Sequence, residues 1–199
     1  ASKKLKWNAS ANGFETGDLG GSMVLISTQT ASSSANISFT SGIDDTYKEY
    51  VFKFIDIHPA NDTVNFQINA SVDGGSNYNV NKTTTYFLAY HTEDNSATAL
   101  SYYTNRDLAS STAAQQIVTI GNANDDSASG TLTLYNPSSS VFVKHFMSRQ
   151  QAPTGEDTEN CKDTYVAGYF NTTSAINAVQ FTMSSGNIDS GVIKMYGIT

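Results

Sequence analysis

Cysteine, histidine, proline and positive charge are all scarce in this chain of 199 residues. The single cysteine, Cys161, cannot form a disulfide within the chain, so stability must come from packing and hydrogen bonds. The formal net charge of -7 argues against binding to duplex nucleic acid, which needs an excess of Lys and Arg on at least one face. No run approaches the roughly 20 apolar residues of a membrane-spanning helix, and no apolar segment follows the first lysines. Neither a membrane anchor nor Sec export is therefore expected.

Residue types that carry catalysis or bind metals are few and scattered. His58, His91 and His145 lie in separate segments, without the His-x-His or His-x-x-x-His spacing of a zinc site. Cys161 lies in a polar segment without a helix start, where an activated thiol nucleophile is not expected. The sequence contains no nucleophile elbow, P-loop or dinucleotide fingerprint. We assign no catalytic residue and no cofactor.

Two carboxylate pairs, Asp44-Asp45 and Asp125-Asp126, suggest a calcium site as one alternative, because oxygen-rich loops can supply Ca²⁺ with ligands. Neither pair matches the spaced Asp-x-Asp-x-Asp-Gly pattern. We favour Asx turns that cap strands, and we assign no metal.

Ser, Thr and Asn are abundant, and these residues are unfavourable in helix interiors but suit strands and turns. In the segment 63–72, apolar side chains alternate with polar ones, which predicts a strand with one buried face that includes Phe66 and Ile68. The segment "EYVFKFIDI" has apolar residues on both parities and predicts a central strand covered on both faces.

Similar patterns predict about eleven strands and an all-β fold, a single antiparallel sandwich or barrel. The segment 96–116 stays open between a helical turn and a short strand followed by a loop. We expect a flexible N-terminal arm at 1–21, a β domain at 22–199 and a polar loop at 150–163 outside the core. The last two strands should form a terminal hairpin. The predicted strands lie at 23–29, 35–40, 49–57, 63–72, 83–90, 116–120, 130–135, 141–147, 165–170, 179–184 and 192–198.

Two groups of residues are candidates for contacts with partners. A basic arm precedes a tryptophan, which would anchor it on an acidic partner surface, unless the arm is a solvated start of the chain. A tyrosine pair near an arginine would stack on sugars or form a protein interface, unless its rings fill the core. The candidate interface residues are Lys3, Lys4, Lys6, Trp7, Tyr102, Tyr103 and Arg106.

Four segments in a fixed order carry a resemblance to a known class of proteins: "EYVFKFIDIHPANDTVNFQINASVDGGSNYN", "SSSVFVKHF", "YVAGYFNTTSAINAVQFTMSSGNIDSG" and "IKMYGI". Together they resemble virion structural proteins of tailed bacteriophages, particularly from marine and cyanobacterial hosts, over roughly residues 45–199. The resemblance implies a jelly-roll-like β-sandwich that docks on other virion proteins, either the major capsid protein or tail proteins, and it transfers no catalytic residue.

On this basis we expect a non-enzymatic virion protein, made in the host cytoplasm and homo-oligomeric in the particle, with capsid decoration or cement favoured. One alternative is a tail- or fibre-associated module that binds a receptor or carbohydrate, which would need an exposed aromatic platform or calcium-dependent glycan binding. Another is a polysaccharide hydrolase, which would need two carboxylates about 5–10 Å apart in a groove.

Overall fold

A computed structural model describes residues 3–8, 10–18, 22–153 and 160–199, and within these residues the chain forms strands and no helix. The prediction of an all-β chain is confirmed. The strands are β1 (Lys3–Trp7), β2 (Phe14–Asp18), β3 (Met23–Ser34), β4 (Ile37–Phe39), β5 (Glu49–Pro59), β6 (Val64–Ser71), β7 (Lys82–Thr92), β8 (Thr98–Tyr102), β9 (Gln115–Ile120), β10 (Ala128–Tyr135), β11 (Lys144–Pro153), β12 (Asn160–Phe170), β13 (Ala178–Met183) and β14 (Ile188–Ile198).

Two antiparallel sheets pack against each other, as predicted for a sandwich. The larger sheet has the order β3-β14-β5-β10-β11-β12-β7-β8, and the smaller has the order β4-β13-β6-β9. Strands β1 and β2 form a separate two-stranded sheet. The strands in the described part of the chain outnumber the eleven expected, because β1, β2 and β8 were not among them.

The pairing of eight strands follows a jelly roll. β3 pairs with β14, β4 with β13, β5 with β10 and β6 with β9, so the chain runs as one long antiparallel ribbon folded over itself. The other pairs, β7 with β8 and β11 with β12, are insertions into this ribbon. They add four strands to the larger sheet beyond β10, which makes one sheet much wider than the other.

The core lies between the two sheets and is rich in phenylalanine. Phe181 of β13 has ring neighbours in both sheets: its centroid lies 5.4 Å from that of Phe52, 5.1 Å from Phe54 and 5.7 Å from Phe66. Phe66 and Ile68 are buried, as the alternation in 63–72 predicts. Edge-to-face and stacked ring pairs add to the free energy gained from burying these side chains.

Strand β5 is central, with β14 on one side and β10 on the other, but its cover is incomplete. Phe52 and Phe54 face the core, whereas Ile55 on the opposite face is 38 % exposed. The prediction of cover on both faces is therefore wrong at this end of the strand. Asp56 has a φ of 51°, and the strand register shifts there, so Ile57 turns back into the core.

The predicted terminal hairpin does not form. β13 lies between β4 and β6 in the smaller sheet, while β14 lies between β3 and β5 in the larger one. The segment 184–187 thus carries the chain from one sheet to the other. Phe181 and Met195 both point into the core, from opposite sides.

Two expectations about the segment 141–163 are corrected as well. The polar loop at 150–163 is for the most part strand, since β11 runs to Pro153 and β12 begins at Asn160, with Gln150 and Ala152 buried. Residues 154–159 lie outside the described part of the chain. The strand predicted from 141 begins three residues later, and Phe142 lies exposed before it.

The segment 103–114, which we call the strap, runs along β7 and folds over the inner face of the inserted strands. Its backbone pairs with β7 through Ser111 and Lys82, whose amides and carbonyls bond at 2.8 and 3.0 Å. Tyr103 packs edge-on against Tyr86 of β7, with ring centroids 6.2 Å apart. The segment 96–116 is therefore a strand, β8, followed by a covering loop and the start of β9.

Candidate functional site

The outer face of β10, β11, β12 and β7 is uncovered in the described part of the chain. Burial alternates strictly along β11, so Phe146 and Ser148 point inward while His145 and Met147 point outward. We call this surface the open face. Its principal residues are Phe87, Tyr135, His145, Met147, Arg149, Tyr165, Ala167 and Tyr169.

Register across the four strands arranges these side chains in three rows. The middle row consists of Thr133, Met147, Ala167 and Thr85. Because three of these four side chains are short, shallow depressions of about 340 and 230 Å³ lie on either side of Met147. The outer rows, which contain the rings, form the walls. One holds Tyr135, His145, Tyr169 and Thr83, and the other holds Thr131, Arg149, Tyr165 and Phe87.

The row with Arg149 is fixed by stacking and by one ion pair. The rings of Phe87 and Tyr165 are parallel, with centroids 4.9 Å apart. Arg149 lies over Tyr165 at 5.1 Å and donates from Nε and Nη2 to the two carboxylate oxygens of Asp163, at 2.9 and 2.7 Å. These hydrogen bonds hold the pKa of Asp163 below its usual value and raise that of Arg149. The open face therefore presents ordered rings rather than loose side chains.

The structure separates the tyrosines that the sequence grouped with Arg106. Tyr102 points outward beside Phe87 and donates a hydrogen bond from its hydroxyl to Asp107, which raises the pKa of that tyrosine. Tyr103 and Arg106 turn to the opposite side of the sheet, with the guanidinium 5.0 Å from the Tyr103 ring. Only Tyr102 thus extends the open face.

The basic arm contains an ordered hairpin of β1 and β2. Lys3, Lys4 and Lys6 lie on β1, and their side chains fall outside the described part of the structure. Trp7 stacks on Phe14 across the hairpin at 4.4 Å and is 60 % exposed. Flexibility of the arm as a whole and its contact with a partner stay predictions.

Asp44, His58 and His91 have local hydrogen-bonding partners. Asp44 accepts from the backbone amide of Thr46 at 2.9 Å, which is an Asx turn as favoured from the sequence, and hydrogen bonds from the side chain and the backbone of Thr46 lower the pKa of Asp44. His58 bonds through Nδ1 to the carbonyl of Asp126 at 2.7 Å. His91 bonds to Asn95 at 3.1 Å. Among the described residues there is no group of three or more His, Cys, Asp or Glu side chains positioned for a metal ion.

Sequence reasoning missed most of the open face. The alternation of inward and outward positions along each strand could have revealed it. Phe146 and Leu88 face the core, so the adjacent apolar residues Met147 and Phe87 must face outward. An apolar side chain at an outward position indicates a surface with a binding role when several such residues converge. Their convergence depends on the pairing of three strands that are distant in sequence.

Fold and open face together define an antiparallel β-sandwich with one broad, ring-bearing sheet surface. Comparison of the chain with protein-family models, with curated protein sequences and with solved structures gives no match. No helix that could cross a membrane occurs among the residues that the structure describes.

Proposed function

We propose that this chain is a non-enzymatic structural protein of a tailed-bacteriophage virion, a capsid decoration or cement protein that docks on other virion subunits through the open face. The observation that carries the proposal is the open face itself. It is a wide surface of rings, methionine and threonine on a rigid sheet, and its rows contain a single formal charge, that of Arg149. The resemblance of the sequence to virion proteins supports the virion as its location.

Composition of the open face matches that of protein interfaces. Aromatic residues, Met and Arg are enriched in the centres of interfaces, whereas Lys, Glu and Asp are depleted. Phe87, Met147, Arg149 and Tyr165 are of the enriched types, and Met147 is 57 % exposed in the isolated chain. Docking would remove Met147 from water and would also stabilise the sandwich, because binding favours the folded state.

The first experiment measures the copy number of the protein in virions and whether its binding to particles depends on the open face. Purified virions of the phage that encodes this chain should contain it in many copies, as quantified on a stained gel. Recombinant chain should bind particles lacking it, and Met147→Glu should weaken binding at least tenfold, because it buries a charge without a partner. Phe142→Glu is the matched control, since Phe142 is exposed outside the open face, and it should leave binding unchanged.

Two results would contradict the docking proposal: a wild-type chain that remains monomeric and binds no particle, or an equal loss of binding in both variants. Folding of each variant is checked by circular dichroism.

A tail- or fibre-associated carbohydrate-binding module is the second candidate. It is favoured by the row of Tyr135, His145 and Tyr169, whose side chains line the larger depression beside Met147. Exposed rings next to threonine hydroxyls can stack on sugar faces and bond to their hydroxyls. A glycan array should then show binding that Tyr169→Ala abolishes, together with only a few copies of the protein per virion.

A further inference from the structure

A second pocket, separate from the open face, lies on the opposite side of the inserted strands. It is lined by residues of β7, β12 and the strap and has a volume of about 280 Å³. It contains the guanidinium of Arg106, although the protein as a whole has a formal net charge of -7. Its lining residues are Leu88, Tyr90, Tyr103, Arg106, Asn160 and Lys162.

Arg106 is held in this pocket by rings rather than by a carboxylate. Its guanidinium carbon lies 5.0 Å from the ring of Tyr103 and 5.6 Å from that of Tyr86. Nη1 makes only long contacts, at 3.5 Å with the hydroxyl of Tyr86 and at 3.3 Å with that of Thr119. Within the described ranges, no carboxylate pairs with Arg106, and Nε and Nη2 have no protein acceptor.

Arg149 in the same molecule is a comparable arginine that does have a carboxylate partner, Asp163. Arg149 lies over Tyr165 at 5.1 Å, nearly the distance of Arg106 from Tyr103, and its Nε and Nη2 hold both oxygens of Asp163. The guanidinium fork matches a carboxylate with two parallel hydrogen bonds. Arg106 has the tyrosine ring, but among the described residues no carboxylate accepts from its Nε and Nη2.

We propose that this pocket binds an acidic sugar, with the sugar carboxylate on the fork of Arg106 and the sugar ring against Tyr103 and Tyr90. The pocket is close to the lower end of the volumes of small-molecule sites and has room for a ring beyond the carboxylate. Its tyrosine walls offer ring faces and hydroxyls, which suit a pyranose better than an extended acidic peptide. This site does not depend on docking through the open face.

Glucuronate is the probe, with glucose as its neutral counterpart and a tetraglutamate peptide as the competing class of ligand. Binding to the full chain is followed by NMR chemical shifts, with methyl signals of Leu88 as reporters inside the pocket. We expect saturable binding of glucuronate with a Kd of roughly 1 mM, as for a single small ligand, and at least tenfold weaker binding of glucose.

Arg106→Gln should weaken glucuronate binding at least tenfold. Arg106→Lys keeps the charge and the stacking position but loses the fork, so it should also weaken binding, and it covers the case in which the glutamine variant fails to fold. Lys48→Gln is the matched control, because it removes one positive charge at an exposed position before β5, outside both the open face and this pocket. It should bind glucuronate as the wild type does.

Three results would overturn the proposal. The first is binding of glucose as tight as that of glucuronate, which would remove the role of the carboxylate. The second is binding of tetraglutamate without binding of glucuronate, which would make the ligand a peptide. The third is unchanged glucuronate binding in folded Arg106→Lys and Arg106→Gln.

Discussion

Two buried lysines flank Phe170 of β12, one from the neighbouring strand on each side. Lys82 and Lys144 begin β7 and β11, and both pair in register with Phe170 of β12. The ammonium of Lys82 donates to the carbonyl of Ala113 at 2.6 Å, and that of Lys144 donates to loop carbonyls at 2.9 and 3.1 Å. Burial disfavours the charged form and lowers the pKa of both, that of Lys82 to about 8. Each lysine donates hydrogen bonds to loop carbonyls, and burial of its ammonium group costs desolvation free energy.

The lowered pKa of Lys82 predicts a rise in stability with pH. Above about pH 8 the folded protein loses a proton from Lys82 that the unfolded chain keeps up to 10.5, so unfolding takes up a proton and becomes less favourable. We expect the free energy of unfolding to rise by about 1–2 kcal/mol between pH 8 and 9.5. Urea denaturation across this range measures it. Above pH 10 the raised pKa of Tyr50 acts in the opposite direction.

Lys82→Met should reduce the rise of the unfolding free energy with pH. Lys53→Met, at a half-buried position of β5, should leave this slope unchanged. Lys144 supplies the part of the slope that remains, because its pKa is lowered in the same way. An identical slope in the Lys82→Met protein and the wild type would show that Lys82 does not cause it.

At the scale of elements, the strap is held by one buried polar network around Thr84. The hydroxyl of Thr84 accepts from the amide of Leu108 at 2.8 Å and donates to the side-chain oxygen of Gln115 at 2.5 Å. Gln115 in turn donates to the carbonyl of Arg106 at 2.9 Å. Because these buried groups satisfy one another, the strap covers the inserted strands without a hydrophobic core of its own.

Thr84→Val, a change that preserves shape, should destabilise the protein by about 1–3 kcal/mol, since it leaves the Leu108 amide and the Gln115 oxygen unpaired. Hydrogen exchange should accelerate most at the amides of 106–110. Thr85→Val is the control on the outer face, where the hydroxyl makes only a 3.3 Å bond. If exchange in the strap stays at the wild-type rate, this network does not hold it.

At the scale of the whole molecule, the alternation of apolar and polar side chains along the sequence was sufficient to locate most strands and the core. It correctly predicted that Phe66 and Ile68 face the core. It did not reveal which sheet each strand joins, because alternation defines the two faces of a strand and says nothing about its partner. The last two strands therefore looked like a hairpin, although they face each other across the core.

The candidate sites were harder to predict for the same reason. Tyr102 and Tyr103 are adjacent in sequence, yet alternation places them on opposite sides of the sheet, one by the open face and one by the Arg106 pocket. Met147 and Tyr165 meet only because β11 pairs with β12. Patterns within one segment cannot supply pairings that depend on the whole fold.

Phe181 links the two halves of the sandwich, so its removal tests whether the fold behaves as one unit. Its ring touches Phe39 and Phe66 in its own sheet and Phe52 and Phe54 in the other. Phe181→Ala leaves a cavity between the sheets and should lower the free energy of unfolding by about 3–5 kcal/mol. Both sheets should still unfold in one transition, seen as coincident curves from circular dichroism and tyrosine fluorescence.

Phe142→Ala removes the same ring from a position that is 67 % exposed, and it should cost no more than about 0.5 kcal/mol. Equal losses in the two variants would contradict a core centred on Phe181. Separate transitions in the Phe181→Ala protein would mean that the wide inserted sheet, held by the strap and the buried lysines, can remain folded when the jelly roll opens.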